Sequence, residues 1–131
     1  MLEAWLKPRR LVHAHCDLPC GVYDPAQARI EAESVKAVQE KYQGNEDPAF
    51  RSRALAIKEE RAELVKHHLW VLWTDYSKPE HLDKYPQLHE LFWTATKEAG
   101  ASKKSEDPAQ GQKLLDSIDE IAKIFWETKA A

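Results

Sequence analysis

The tripeptide Asp-Pro-Ala occurs three times in this sequence of 131 residues, at positions 24–26, 47–49 and 107–109. Aspartate accepts hydrogen bonds from the free backbone N–H groups at the start of a helix, and proline suits the first helical position because no partner for its nitrogen is needed there. Each occurrence therefore predicts the beginning of a helix. The chain has only four glycines, so few residues disfavour helix between these starts.

Apolar residues recur at helical spacing after each predicted start, and Pro86 marks a further one. We expect helices over residues 25–43, 48–73, 86–100 and 108–128, with a loop rich in Ser and Lys over 100–107. The residues expected on the four apolar faces are, in order, Ile30, Ala37, Val38 and Tyr42; Phe50, Ala54, Ile57, Leu64, Val65, Leu69 and Leu72; Leu88, Leu91, Phe92 and Ala95; and Leu114, Leu115, Ile118, Ile121, Ile124 and Phe125. No segment alternates as a strand does. The predicted fold class is all-α, an antiparallel up-down-up-down four-helix bundle.

Charge and hydropathy exclude some classes of partner. The formal net charge of -3 and a pI near 6.1 give no reason to expect a nucleic-acid partner. No apolar run approaches the ~18–20 residues that cross a bilayer, so no membrane contact is expected. Residues 1–14 also lack the apolar stretch of ~7–15 residues of a secretory signal. We expect a short pro-segment or terminal arm there, and a cytoplasmic protein.

The two cysteines, Cys16 and Cys20, lie too close together to link distant parts of the fold. With His15 they place an imidazole and two thiols on one six-residue loop, where they can converge on a single ion. A tetrahedral zinc site would need a second pair of ligands, and the cysteine spacing lacks the two-residue gap of a thioredoxin-like motif. A reduced pair or a small local disulfide remains possible. The residues favour a metal or redox site.

The predicted bundle carries little further chemical signal. Four histidines have no partner at ligand spacing and are predicted to be structural or solvated: His67, His68, His81 and His89. Five aromatic residues are expected in the core or at subunit contacts: Trp70, Trp73, Phe92, Trp93 and Trp126.

The run His-Cys-Asp-Leu-Pro-Cys-Gly-Val-Tyr over residues 15–23 resembles the nickel hook of nickel-containing superoxide dismutases. The resemblance continues through Asp-Pro-Ala-Gln-Ala-Arg-Ile-Glu at 24–31 and extends to the C-terminus, including residues 62–68 and 124–129. It implies an antioxidant oxidoreductase that converts superoxide to O2 and H2O2 by Ni(II)/Ni(III) cycling. It also implies that residues 1–14 are a pro-segment removed by a processing peptidase. Residues 15–131 then form the mature domain, with the hook at 15–23 and the bundle at 24–131, and assemble as a homohexamer.

The same resemblance implies a ligand set for one nickel ion per subunit. The free amine of His15, the backbone amide nitrogen of Cys16 and the thiolates of Cys16 and Cys20 would bind it. The imidazole of His15 would join as an axial ligand in the oxidised state. Because His15 supplies its amine, cleavage before it would be needed to complete the site.

Seven further residues receive implied roles. Tyr23 would lie over the open face of the metal and restrict access to small anions, which makes it a catalytic residue together with His15. Glu31 and Arg61 would orient the axial imidazole. The remaining candidates are Asp17 for positioning the hook, Tyr76 for ordering water, and Lys78 and Lys129 for positive potential that attracts superoxide.

Two other functions are compatible with the ligand residues alone. One is a non-enzymatic nickel or copper binding protein that delivers or stores the metal. The other is a thiol-based peroxide sensor that uses Cys16 and Cys20.

Overall fold

The computed structural model of this chain describes residues 21–131, and within that range it is helical without strands. It contains α1 (Ala26–Gln43), α2 (Pro48–Val71), a π-helical turn (Leu72–Tyr76), α3 (Pro79–Lys84), α4 (Leu88–Lys104) and α5 (Pro108–Ala130). The all-α prediction is confirmed. Within the same range no helix combines the length and hydropathy that a membrane span requires.

The four long helices pack in a ring, with α1 and α4 each lying between α2 and α5. Links of only a few residues join α1 to α2 and α4 to α5, so these neighbours run antiparallel. Helices α1 and α5 are also antiparallel. Arg29 forms a hydrogen bond with Asp119, and Lys36, further along α1, forms one with the earlier Gln112. The described chain is therefore an antiparallel four-helix bundle, with α3 in the connection between α2 and α4.

The predicted helix starts form as the Asp-Pro pattern indicates. Asp47 accepts a hydrogen bond from the backbone of Phe50 at 3.1 Å, and Asp107 accepts one from Ala109 at 2.9 Å, each with proline in the first turn. At α1 the Asp24 carboxylate accepts from Ala26 N at 2.8 Å. Asp47 and Asp107 are therefore side-chain N-caps of α2 and α5, whereas the bond to Asp24 stands just before α1, whose N-cap residue is Pro25.

Three predicted boundaries were wrong. The α-helical part of α2 ends at Val71, and the chain continues as the π-helical turn.

The short helix α3 was not expected. Pro79 is predicted to break the helix, but it stands in the first turn of α3, where the N–H that proline lacks has no helical partner. Helix α4 begins at Leu88 and runs through Gly100 to Lys104, because Ala99 and Ser102 are fully buried and hold this last turn against the bundle. The loop expected over 100–107 shrinks to 105–107.

The apolar face of α1 was also predicted wrongly. Ile30 is 59% exposed, and the buried residues are Ala28, Ala32, Val35 and Gln39. Small side chains at this interface let α1 approach its neighbours closely, so the larger Ile30 lies outside. On α2, Ile57 is likewise 41% exposed, although Ala54, Val65 and Leu69 are buried as expected. All six residues expected on the last helix, α5, are buried.

A buried polar cluster closes the end of the bundle where α4 meets α5. Lys58 is 1% exposed, and its Nζ donates to the carbonyl of Ser105 at 2.8 Å and to the Glu106 carboxylate at 3.2 Å. Gln39 Nε2 donates to the same Ser105 carbonyl at 2.9 Å. Side chains of α1 and α2 thereby fix the short α4–α5 link. This end of the molecule is tied by charge-assisted hydrogen bonds as well as by apolar packing.

Two helical glycines should respond oppositely to alanine. A Cβ at Gly111 would lie 2.5 Å from Gln39 Oε1 and 2.9 Å from the backbone of Lys36, so the close approach of α1 and α5 depends on this glycine. We expect Gly111→Ala to lower the free energy of unfolding by about 1–3 kcal/mol. The matched control is Gly100→Ala, whose nearest neighbour is Lys66 Nζ at 3.4 Å, and it should raise stability by up to about 1 kcal/mol. Urea unfolding measures both, and a stabilising Gly111→Ala would contradict the packing.

Candidate functional site

The structure describes part of the predicted site. His15, Cys16, Asp17 and Cys20 lie outside the described residues. Tyr23, Glu31, Arg61, Tyr76, Lys78 and Lys129 lie within them. Among residues 21–131 no group of three or more His, Cys, Asp or Glu side chains is arranged to hold a metal ion.

Tyr76 lies at the centre of the cluster where the chain enters the bundle. Its ring packs against Tyr23 with centroids 5.5 Å apart and against Phe125 at 4.5 Å. Its hydroxyl shares a hydrogen bond of 2.6 Å with Thr128 Oγ1, on the same last turns of α5. The structure therefore brings two predicted site residues, Tyr23 and Tyr76, into contact and fixes both against α5.

The π-helical turn determines where Tyr76 lies. Both the backbone nitrogen and the hydroxyl of Ser77 donate to the carbonyl of Leu72, at 3.0 and 2.9 Å, and so close the wider turn. Adding a residue to a helical turn rotates the side chains after it, and such turns are frequent at functional sites. His81, on α3, stacks on the other side of Tyr76 with centroids 5.3 Å apart and an interplanar angle of 24°. Its Nδ1 accepts from the backbone of Lys78 at 3.2 Å.

Lys129 joins the last turn of the chain to the N-terminal arm. Its Nζ donates to the carbonyl of Gly21 at 3.1 Å and lies 5.3 Å from the centre of the Tyr76 ring. Gly21 has φ +70°, in the left-handed region, so the chain turns at the residue directly after Cys20. Lys78, two residues after Tyr76, is exposed. The two lysines expected to supply positive potential therefore lie near Tyr76, but Lys129 is also a structural contact.

Glu31 and Arg61 form the predicted pair. Arg61 Nη1 lies 3.2 and 3.4 Å from the two carboxylate oxygens of Glu31 and joins α2 to α1. The Glu31 side chain is only 16% exposed, against 37% for Arg61, so the pair is partly shielded from solvent. The pKa of His68 is lowered, chiefly by burial and then by the neighbouring His67. The Glu31 carboxylate acts in the opposite direction and raises it. A partly buried carboxylate beside a guanidinium can accept a hydrogen bond from a further N–H donor.

Sequence reasoning missed the residues that support the site. Thr128, Phe125 and His81 all hold Tyr76, and nothing in their local sequence distinguishes them from ordinary helix residues. Thr128 and Phe125 belong to residues 124–129, which resemble the family, but their contacts depend on the packing of α5. The histidine His81 was expected to be structural or solvated, and its stacking on Tyr76 agrees with a structural role.

Comparison with known proteins gives a consistent result. A family model described as nickel-containing superoxide dismutase matches residues 10–129. Two curated relatives named Superoxide dismutase [Ni] align over all 131 residues of this chain and over their own full length: one from Streptomyces coelicolor at 65% identity and one from Streptomyces seoulensis at 63%. A solved native nickel superoxide dismutase is 68% identical, with a TM-score of 0.87, and covers 89% of this chain and 100% of its own. A solved form with the nickel ligation of the oxidised state has 67% identity, the same coverage and a TM-score of 0.87.

Proposed function

The chain belongs to the nickel-containing superoxide dismutase family, and we propose that its nickel is held by a hook at residues 15–23 that becomes competent when the chain is cleaved before His15. The protein is a nickel-dependent oxidoreductase that converts superoxide to O2 and H2O2. The observation that carries this function is the 65% identity to a named nickel enzyme over the whole chain. It also favours the enzyme over a protein that only binds nickel or copper.

The donor set of the proposed hook fits nickel. Two thiolates, from Cys16 and Cys20, and two nitrogens, the amine of His15 and the amide nitrogen of Cys16, make the N2S2 set that suits square-planar Ni(II). The imidazole of His15 would be a further ligand. When bound, nickel supplies one-electron exchange with superoxide by alternating between its +2 and +3 states. Asp17, within the hook, would hold its turn in place.

Relatives of known structure support the proposed pro-segment. The solved native relative spans 89% of this chain, about 117 of 131 residues, and leaves about 14 uncovered. That number equals the length of residues 1–14, whereas the curated relatives align over the full 131. While residue 14 remains attached, the nitrogen of His15 is an amide and not an amine with a pKa of ~7.7–8.0. A processing peptidase would therefore complete the ligand set.

Tyr23 and Tyr76 would control access to the hook. Tyr23 stands three residues after Cys20, and its ring rests on Tyr76, whose hydroxyl is engaged by Thr128. The Tyr76 ring thus serves as a fixed support for Tyr23. We infer that Tyr23 admits small anions and orders water at the entrance, while Tyr76 sets its position.

The Glu31–Arg61 pair would orient the imidazole of His15. A metal-bound histidine usually donates its other ring N–H to a carboxylate or carbonyl, which fixes the tautomer and the direction of the ring. Glu31 lies five residues into α1, about 8 Å along the axis from Ala26, and so near the end at which the arm enters. Arg61 holds the Glu31 carboxylate in place at 3.2 Å.

Superoxide is an anion, and the overall charge of the chain opposes its approach. The pro-segment holds Lys7, Arg9 and Arg10 against one acidic residue, so its removal takes away a net charge of +2 and changes the total from -3 to -5. Local positive potential must then guide the substrate, since fields focused at a site govern association rates. Lys78 and Lys129, near Tyr76, are the proposed source.

The homohexamer expected from the family resemblance is part of the proposal. Three tryptophans remain largely exposed in the single chain: Trp70 at 44%, Trp93 at 58% and Trp126 at 52%. Large exposed aromatic residues are typical of surfaces that another protein covers, which supports association of subunits. Cytoplasmic location stays a prediction.

The ligand assignment is tested with a chain that begins at His15 and with its Cys16→Ser variant. We expect about one nickel ion per chain and superoxide dismutation from the first, and neither from the second, because a hydroxyl does not replace the thiolate donor. Circular dichroism should show the same helical content in both, since Cys16 precedes the bundle. Nickel binding without dismutation would favour the metal-binding alternative, and dismutation without nickel would refute the assignment.

The orienting role of Glu31 predicts a separation of activity from stability. Glu31→Gln keeps the shape but removes the charge, so we expect kcat/KM to fall about 10–100-fold, with a change in unfolding free energy of about 1 kcal/mol or less. The matched control is Glu33→Gln on the same helix, which removes the exposed ion pair with Arg29 and should leave activity unchanged. Equal activity of the two variants would show that the Glu31–Arg61 pair is a structural ion pair only.

A further inference from the structure

Lys129 makes a contact that charge steering does not need. Its ammonium donates to the carbonyl of Gly21, the residue directly after Cys20, at 3.1 Å. We propose that Lys129 is a positioning residue of the nickel hook, which ties the end of the hook to the last turn of α5 and so fixes the segment that carries Cys20. This inference rests on the proposed function, because it requires Cys20 to be a ligand.

The ammonium is held from two sides. Besides the Gly21 carbonyl, it lies over the ring of Tyr76 at 5.3 Å and over the ring of Phe125 at 5.8 Å. Cations are attracted to aromatic faces at these distances. Tyr76 is itself fixed by Thr128, the residue before Lys129. Lys129 therefore contacts the Gly21 carbonyl while its ammonium lies over the Tyr76 ring, which Thr128 holds in place.

The backbone at Gly21 explains why one hydrogen bond can matter there. Its φ of +70° lies in a region that other residues rarely adopt, and a Cβ at this position would have no heavy atom within 4 Å. The glycine is thus required by the turn and not by crowding. A glycine is also the residue with the greatest backbone freedom. The bond from Lys129 to its carbonyl restrains the turn at the point where the hook joins the bundle.

Positioning and steering predict different behaviour for the two site lysines. Both lysines are exposed, so either one can act on kcat/KM through an electrostatic effect that high salt removes. Loss of the hydrogen bond from Lys129 to Gly21 should instead change how firmly the metal is retained, at low and at high salt alike. The two lysines can therefore be separated by one pair of matched variants.

The experiment uses nickel-loaded chains that begin at His15 and measures nickel release into excess chelator. Lys129→Met keeps the length of the side chain without its donor and charge, and we expect it to release nickel about tenfold faster than the parent chain. Lys129→Arg, which restores a cationic donor, should recover part of the difference. Lys78→Met should release nickel at the parental rate, as should Lys123→Met, an exposed lysine on the same helix.

A second readout separates positioning from general loosening of the fold. The electron paramagnetic resonance spectrum of the oxidised Lys129→Met protein should differ from the parent, and Lys129→Arg should move it back, while all variants melt within a few degrees of each other. If Lys129→Met releases nickel at the parental rate and its spectrum is unchanged, the proposal is wrong. If its only effect is a salt-sensitive loss of kcat/KM, Lys129 acts by attracting superoxide and does not position the hook. A parent chain that binds no nickel would instead refute the hook itself.

Discussion

The packing of Tyr76 against the last turns of α5 is the interaction on which the candidate site depends. Phe125 and Thr128 hold this ring and hydroxyl from α5, His81 stacks on it from α3, and Tyr23 rests on it from the entering arm. The first described residues thereby meet the end of the chain, more than a hundred residues later in sequence. The proposed ligand loop precedes this arm, so its connection to the bundle would pass through Tyr23 and Gly21.

The two ends of the bundle are built differently, and the difference suits the function. At one end a buried lysine, Lys58, and Gln39 bind the Ser105 carbonyl and close the short α4–α5 link. At the other end the contacts of Tyr23 and Lys129 include aromatic packing, cation–π contacts and an exposed hydrogen bond. The first end fixes the α4–α5 link, and the proposed cleavage and nickel binding would take place on the arm that enters at the other end. A reactive site supported by a rigid scaffold is a common arrangement in enzymes.

Much of this architecture could be predicted from the sequence, since its determinants are local. Asp47 and Asp107 cap their helices within three residues, and the strongly periodic α5 has the buried face expected of it. The exposure of Ile30 could not be predicted, because it follows from how closely small residues let α1 approach its neighbours. No local sequence signal predicts the π-helical turn before Ser77. The direction of the Tyr76 side chain therefore could not be predicted either. The ligand side chains were visible in the sequence, but two of the proposed donors are backbone nitrogens that no residue type reveals.

One of those nitrogens, the amine of His15, exists only after cleavage, and its role as a nickel ligand can be tested directly. Two chains that differ by a single residue, one beginning at Ala14 and one at His15, present the nitrogen of His15 as an amide or as a free amine. The measurement is the rate of superoxide dismutation per bound nickel ion in each. We expect full activity for the chain that begins at His15 and loss of most of it when Ala14 is present. Equal rates per bound nickel would contradict it, because the amine of His15 would then not be part of the working site.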